Sequence, residues 1–127
     1  MEKNSQDLGR RRHTRVELNA YILATLTTDK DEAEQIFTTR DMSPEGIFLE
    51  CKECFPVGTV LKLRIHTPST LEPINAQAEV VRIAKDENLR TIGMGLLFVE
   101  MSENARKELF KHLYLAYHYT GDKQKTV

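Results

Sequence analysis

The sequence predicts a six-stranded antiparallel β-barrel with a C-terminal α-helix on one side. Three observations carry that prediction. Six short runs rich in β-branched and apolar residues recur at regular spacing between charged or Pro/Gly-containing connections. Within the fourth and fifth runs, apolar residues alternate with polar ones, as in half-buried strands. The last apolar pattern changes from period two to the helical period. At 127 residues, 40% of them hydrophobic, the chain is sized for one domain with a modest core.

Taken in order, residues 1–9 are polar and are expected to form a flexible tail. An arginine-rich segment follows, Arg10-Arg11-Arg12-His13-Thr14-Arg15. Ala20–Thr27 (AYILATLT) reads as the first strand and Thr28–Ala33 as a charged loop. Glu34–Arg40 (EQIFTTR) is the second strand, its Thr pair favouring extended backbone. Asp41–Gly46 holds Ser, Pro and Gly and reads as a turn. Gly46–Cys51 is the third strand, and Lys52–Gly58 is a loop punctuated by Pro56 and Gly58.

Thr59–His66 sets Leu61, Leu63 and Ile65 on one face and Val60, Lys62 and Arg64 on the other. Thr67–Pro73 is a loop. Ile74–Ala84 repeats the alternation with Ala76, Ala78 and Val80 inward. Lys85–Arg90 is a tight charged connection, and Thr91–Glu100 is the last strand. Ser102 is placed to cap a helix whose first turn carries Glu103, where an acid suits the helix dipole. The helix is expected to run to about Tyr117. Ala105, Leu109, Leu113 and Ala116 form its buried stripe, widened by Phe110, Tyr114 and Tyr117. The domain therefore spans residues 10–118, with flexible tails at 1–9 and 119–127.

Charge and cysteine content narrow the function. Net charge is -1, so the protein as a whole is no polyanion binder. Basicity is local: four arginines and no acid lie between Arg10 and Arg15. A local cationic cluster on a neutral protein favours a discrete anionic ligand over a long nucleic acid. Two cysteines are too few for a secreted disulfide scaffold. No apolar leader or membrane-length run is visible, so the expected location is cytoplasmic.

The arginine cluster precedes the first strand and has no core to pack into. Read alone it is a solubilising or nucleic-acid-binding arm. Asp41 and Ser43, read alone, are turn residues bonding their own backbone, and Gly46 a position needing backbone freedom. Read together, these segments offer guanidinium forks for phosphate, a carboxylate that can accept from a guanine N–H pair, a hydroxyl, and a glycine admitting close approach.

R-x-x-x-R (Arg11 to Arg15) followed by D-x-S-x-x-G (Asp41, Ser43, Gly46) resembles the PilZ domain, a bacterial receptor for cyclic di-GMP. The late strand Gly93-Met94-Gly95-Leu96-Leu97-Phe98 has the same family look. The resemblance runs from about Arg10 to about Tyr117. It implies the same barrel, with the arginine motif before the first strand and the D-x-S-x-x-G turn on the barrel surface facing it. It implies that Arg11 and Arg15 hold the phosphates and a guanine edge, with Arg12 as a stacking or phosphate partner. Asp41 and Ser43 would contact a guanine base or its phosphate, and Gly46 would allow backbone approach. Arg10, just before the motif, accompanies binding of two stacked ligand molecules in the family.

Other constellations are weaker. Cys51-x-x-Cys54 lacks the second ligand pair of a zinc site and the βαβ setting of a thioredoxin-like redox motif. Cys51 alternates with Ile47 and Leu49 and reads as a core residue. The four histidines have no metal or catalytic spacing, and no P-loop or nucleophile elbow is present. The expectation is a non-enzymatic cyclic di-GMP receptor without cofactor or metal. It would order its arginine segment over the ligand and signal to an unidentified effector protein. The alternative is a PilZ-fold adaptor that works without nucleotide. A nucleic-acid-binding barrel is disfavoured because interleaved surface aromatics are missing.

Overall fold

The computed structural model describes residues 16–28, 34–68 and 72–126. Six strands are present: β1 (Val16–Leu26), β2 (Gln35–Met42), β3 (Gly46–Glu50), β4 (Val60–His66), β5 (Ile74–Lys85) and β6 (Thr91–Glu100). They close into one antiparallel barrel in the order β1-β2-β3-β6-β5-β4. One helix, α1 (Glu103–Thr126), follows. No helix among the described residues is long and apolar enough to cross a membrane.

The alternation in β4 and β5 does what its period requires. Leu61, Leu63 and Ile65 of β4 are buried while Lys62 and Arg64 are exposed. Ile74, Ala76, Ala78 and Val80 of β5 point inward against them. The small alanines face Leu63 and Leu61 across the ladder, so large and small side chains interdigitate. Ile22, Met42, Ile47, Leu49, Met94 and Leu96 complete the interior, and Leu109 and Leu113 of α1 close it. Each fully buried aliphatic side chain contributes about 1.5–3 kcal/mol over leaving it in water.

The strand ends differ from the expected ones in an informative place. β2 continues through Asp41 to Met42, whose side chain is completely buried opposite Ile47. The turn is therefore shorter than Asp41–Gly46. The ladder is irregular between Thr38 and Met42, so the strand gains a residue there and Met42 faces the interior. The β5–β6 connection is an Asx turn: the Asp86 carboxylate accepts from the N–H groups of Asn88 and Arg90.

Ser102 caps α1 as expected, its hydroxyl accepting from the Ala105 N–H at 3.0 Å. The inward stripe is Leu109, His112 and Leu113, all buried, with Ala105 half-buried. Phe110 and Tyr114 do not widen it; they stand 46% and 64% exposed. Each is one residue, about 100° of helix rotation, past a buried leucine, and that rotation carries it off the barrel. His112 takes the inward position instead, with Glu108 one turn away. The side chains of Ala116 and Tyr117 lie outside the described residues. The backbone remains helical through Gly121 to Thr126, past the expected end near Tyr117. A single glycine costs a helix about 1 kcal/mol but keeps its N–H, so the ladder need not stop there.

Candidate functional site

The D-x-S-x-x-G turn is built by its own hydroxyl. Ser43 is buried, and its Oγ accepts from the N–H groups of Glu45 and Gly46, each at 3.3 Å. The Ser43 N–H donates to the Gly46 carbonyl at 2.9 Å, and the Gly46 N–H returns to the Ser43 carbonyl. The Phe98 N–H donates to the Glu45 carbonyl at 2.8 Å, which ties the turn to β6. Gly46 sits so tightly on β6 that an added Cβ would collide with the Leu96 carbonyl oxygen. These contacts give Ser and Gly a structural reason to occupy this turn.

Register then places a row of unlike side chains across four strands. Residues 39–41 of β2 lie between the Met42–Ile47 and Thr38–Glu50 pairs, beside Phe48 and Leu49. Thr39, buried, donates its hydroxyl to the Phe48 carbonyl and locks the two strands at that level. Phe48 pairs with Gly95, and Gly95 pairs with Arg82. Phe48, Gly95 and Arg82 thus follow one another from β3 to β5, with residues 39–41 of β2 beside them. The absent side chain at Gly95 is what admits Arg82, whose Cγ and Nε lie 3.1 Å from where a Cβ would be. The guanidinium carbon of Arg82 stands 5.6 Å from the Phe48 ring centroid, a cation–π pair. Gly93 leaves room for the Phe48 ring in the same way.

Of the residues singled out in the sequence, Asp41, Ser43 and Gly46 come together around the β2–β3 turn. Arg10, Arg11, Arg12 and Arg15 lie outside the described residues. Arg82 and Phe48 were not singled out. The Gly93-x-Gly95 spacing was the available signal, because alternate glycines on one strand face leave grooves for side chains of neighbouring strands. A separate concavity of about 680 Å³ lies between β1, β4, β5 and the start of α1. It includes the Arg64–Glu34 ion pair and none of Asp41, Ser43 or Gly46.

The model of the PilZ domain family matches residues 9–115. The chain belongs to the PilZ domain family. Solved PilZ structures share its fold. The PilZ domain of YcgR from Escherichia coli, described with c-di-GMP, superposes at a TM-score of 0.66 with 17% identity, covering 93% of this chain and 99% of that one. The Bacillus subtilis inhibitor of motility MotI/DgrA gives 0.70 with 21% identity, covering 90% of this chain and 53% of that one. The K. pneumonia protein MrkH gives 0.66 with 15% identity, over 90% and 53%. This PilZ domain thus spans about half the length of MotI/DgrA and MrkH and nearly all of the YcgR domain. No curated protein matches.

Proposed function

We propose that this PilZ domain is a receptor for cyclic di-GMP that orders its arginine segment over the ligand and presents the new surface to a partner protein. The observation that carries the reading is the row Phe48–Gly95–Arg82 beside the D-x-S-x-x-G turn that Asp41 opens. A guanine is planar, has a paired N–H edge and is tethered to phosphate. Asp41 of the turn motif would offer a carboxylate to that edge, and the row offers a flat cation for a base face. Ser43 Oγ accepts from the turn amides, and its proton is the group that would reach a phosphate oxygen.

In this reading Arg11 and Arg15 grip the two phosphates and a guanine edge, with Arg12 stacking or pairing beside them. Gly46 keeps the backbone low where the ligand passes. Arg10 brings one more guanidinium than a single ligand's phosphates require, which fits two stacked molecules per chain. Binding would then order residues 10–15 against the barrel, and an effector would read the closed form.

Calorimetric titration with cyclic di-GMP, with cyclic di-AMP and DNA as controls, tests the proposal. Arg11→Ala and Arg15→Ala should each weaken binding roughly ten- to hundredfold, the scale of a lost hydrogen bond to a charged group. Asp41→Ala should narrow the preference for guanine, since adenine lacks the paired donor edge. Arg10→Leu should lower the ligand ratio from two toward one. Folded wild-type protein that binds no cyclic di-GMP would overturn the reading and favour the nucleotide-independent adaptor.

A further inference from the structure

We infer that Cys51 and Cys54 form a reversible thiol–disulfide site in which a low-molecular-weight disulfide closes a Cys51–Cys54 bond within the loop after β3. The two sulfurs are 2.9 Å apart. A disulfide has an S–S bond of about 2.05 Å, so a small movement of one side chain converts the contact into the bond. The fold holds both cysteines in place. The Cys51 N–H donates to the Ile92 carbonyl at 3.2 Å, and its Sγ lies 3.7 Å from the Leu49 carbonyl. Both cysteines and the following Phe55 pack partly against the core.

Neither cysteine is sealed in the core. Both are partly exposed and reduced, and Lys52 and Glu53 between them are fully on the surface. Small reagents therefore have access, while the short loop keeps the second sulfur beside the first. A metal centre is a poorer fit. Among the described residues no three His, Cys, Asp or Glu side chains gather to hold an ion, and two sulfurs alone fall short of a four-ligand zinc site.

The order of steps follows from the environment. Burial, then the hydrogen bond to Cys54 and that group's charge, push the Cys51 thiol up to about 12. That makes Cys51 the poorer nucleophile, so Cys54 loses its proton and attacks the incoming disulfide RS–SR first, releasing RS⁻. Cys51 then loses its proton and attacks the Cys54 sulfur, forming the Cys51–Cys54 bond and expelling the second RS⁻. Two thiols of the protein are oxidised, one external disulfide is reduced to two RSH, and both protons end on the released thiols.

The experiment equilibrates the full chain in glutathione buffers from fully reduced to fully oxidised, quenches with acid and reads intact mass. Wild type should lose two hydrogens as a monomer without an adduct, and a reductant should restore them. The oxidised form should melt a few degrees higher, because a short closed loop restricts the unfolded chain modestly. Cys51→Ala should stop at a stable glutathione adduct on Cys54, while Cys54→Ala should react far more slowly. Wild type that accumulates only glutathione adducts or intermolecular dimers, or that stays reduced throughout, overturns the site. Faster adduct formation on Cys51 than on Cys54 overturns the assigned order. The readout is independent of nucleotide binding, so it stands apart from the receptor proposal.

Discussion

Gly46→Ala is expected to be the most damaging single-methyl addition in the turn motif, for a reason visible without any ligand. The new Cβ would strike the Leu96 carbonyl oxygen and lie 3.2 Å from the Leu96 carbonyl carbon and 3.4 Å from Leu97 Cα. All three are backbone atoms, so no side chain can swing aside; β3 must move off β6. That movement strains the Phe98–Glu45 hydrogen bond at 2.8 Å and the reciprocal Ser43–Gly46 pair. Overpacking costs about 1–3 kcal/mol, and three weakened hydrogen bonds add about 0.5–1.5 kcal/mol each. The expected loss is therefore about 3–7 kcal/mol, or roughly 10–20 °C in melting temperature for a domain of this size. Gly95→Ala is the control. The three atoms nearest its Cβ would all belong to the Arg82 side chain, the first at 3.1 Å, and that chain is flexible. Thermal melts and denaturant titrations of the two variants decide the matter. Gly46→Ala melting within two or three degrees of wild type, about 1 kcal/mol, would refute the reasoning, as would Gly95→Ala being the worse of the two.

Three further outcomes are expected. Leu89 holds a positive φ of 63° with its side chain 78% exposed; Leu89→Gly should raise stability by about 1 kcal/mol in denaturant titration, since left-handed backbone costs an L-residue about that much. Ser102→Ala removes the acceptor for the Ala105 N–H and should cost about 1 kcal/mol, with loss of helical ellipticity on mild heating. The Cys51 thiol is raised from 9.0 to about 12 in the folded protein, so its stabilising effect is complete below pH 9 and fades as pH climbs toward 12. The denaturation midpoint should fall over that window in wild type, and Cys51→Ser should flatten the fall.

The sequence told most about the fold where one face of an element is buried and the other wet. In β4 and β5 the alternation of Leu61, Leu63 and Ile65 with charged neighbours assigned the inward side correctly, because a period of two leaves no other solution. It told less where identity and position disagree. Phe110 and Tyr114 are aromatic yet exposed, and His112 is polar yet buried, because helix rotation decides facing and apolar character only correlates with it. The irregularity between Thr38 and Met42 depends on the partner strand and has no local signature. Of the candidate site, Asp41, Ser43 and Gly46 were legible as a motif within one turn. The alignment of Phe48, Gly95 and Arg82 was not, since it exists only once β3, β6 and β5 are in register.

Closure of the barrel limits how this protein can be recognised. An open sheet ends in a row of unsatisfied N–H and C=O groups, and many partners bind by laying a strand of their own along it. Here β1 pairs with both β2 and β4, so the ring has no outermost strand to extend. Along the paired stretches a binder gains no generic main-chain template and must discriminate among side chains. Recognition by such a surface is set residue by residue, so one substitution on the outer wall can change partners while the ring itself stays as it is.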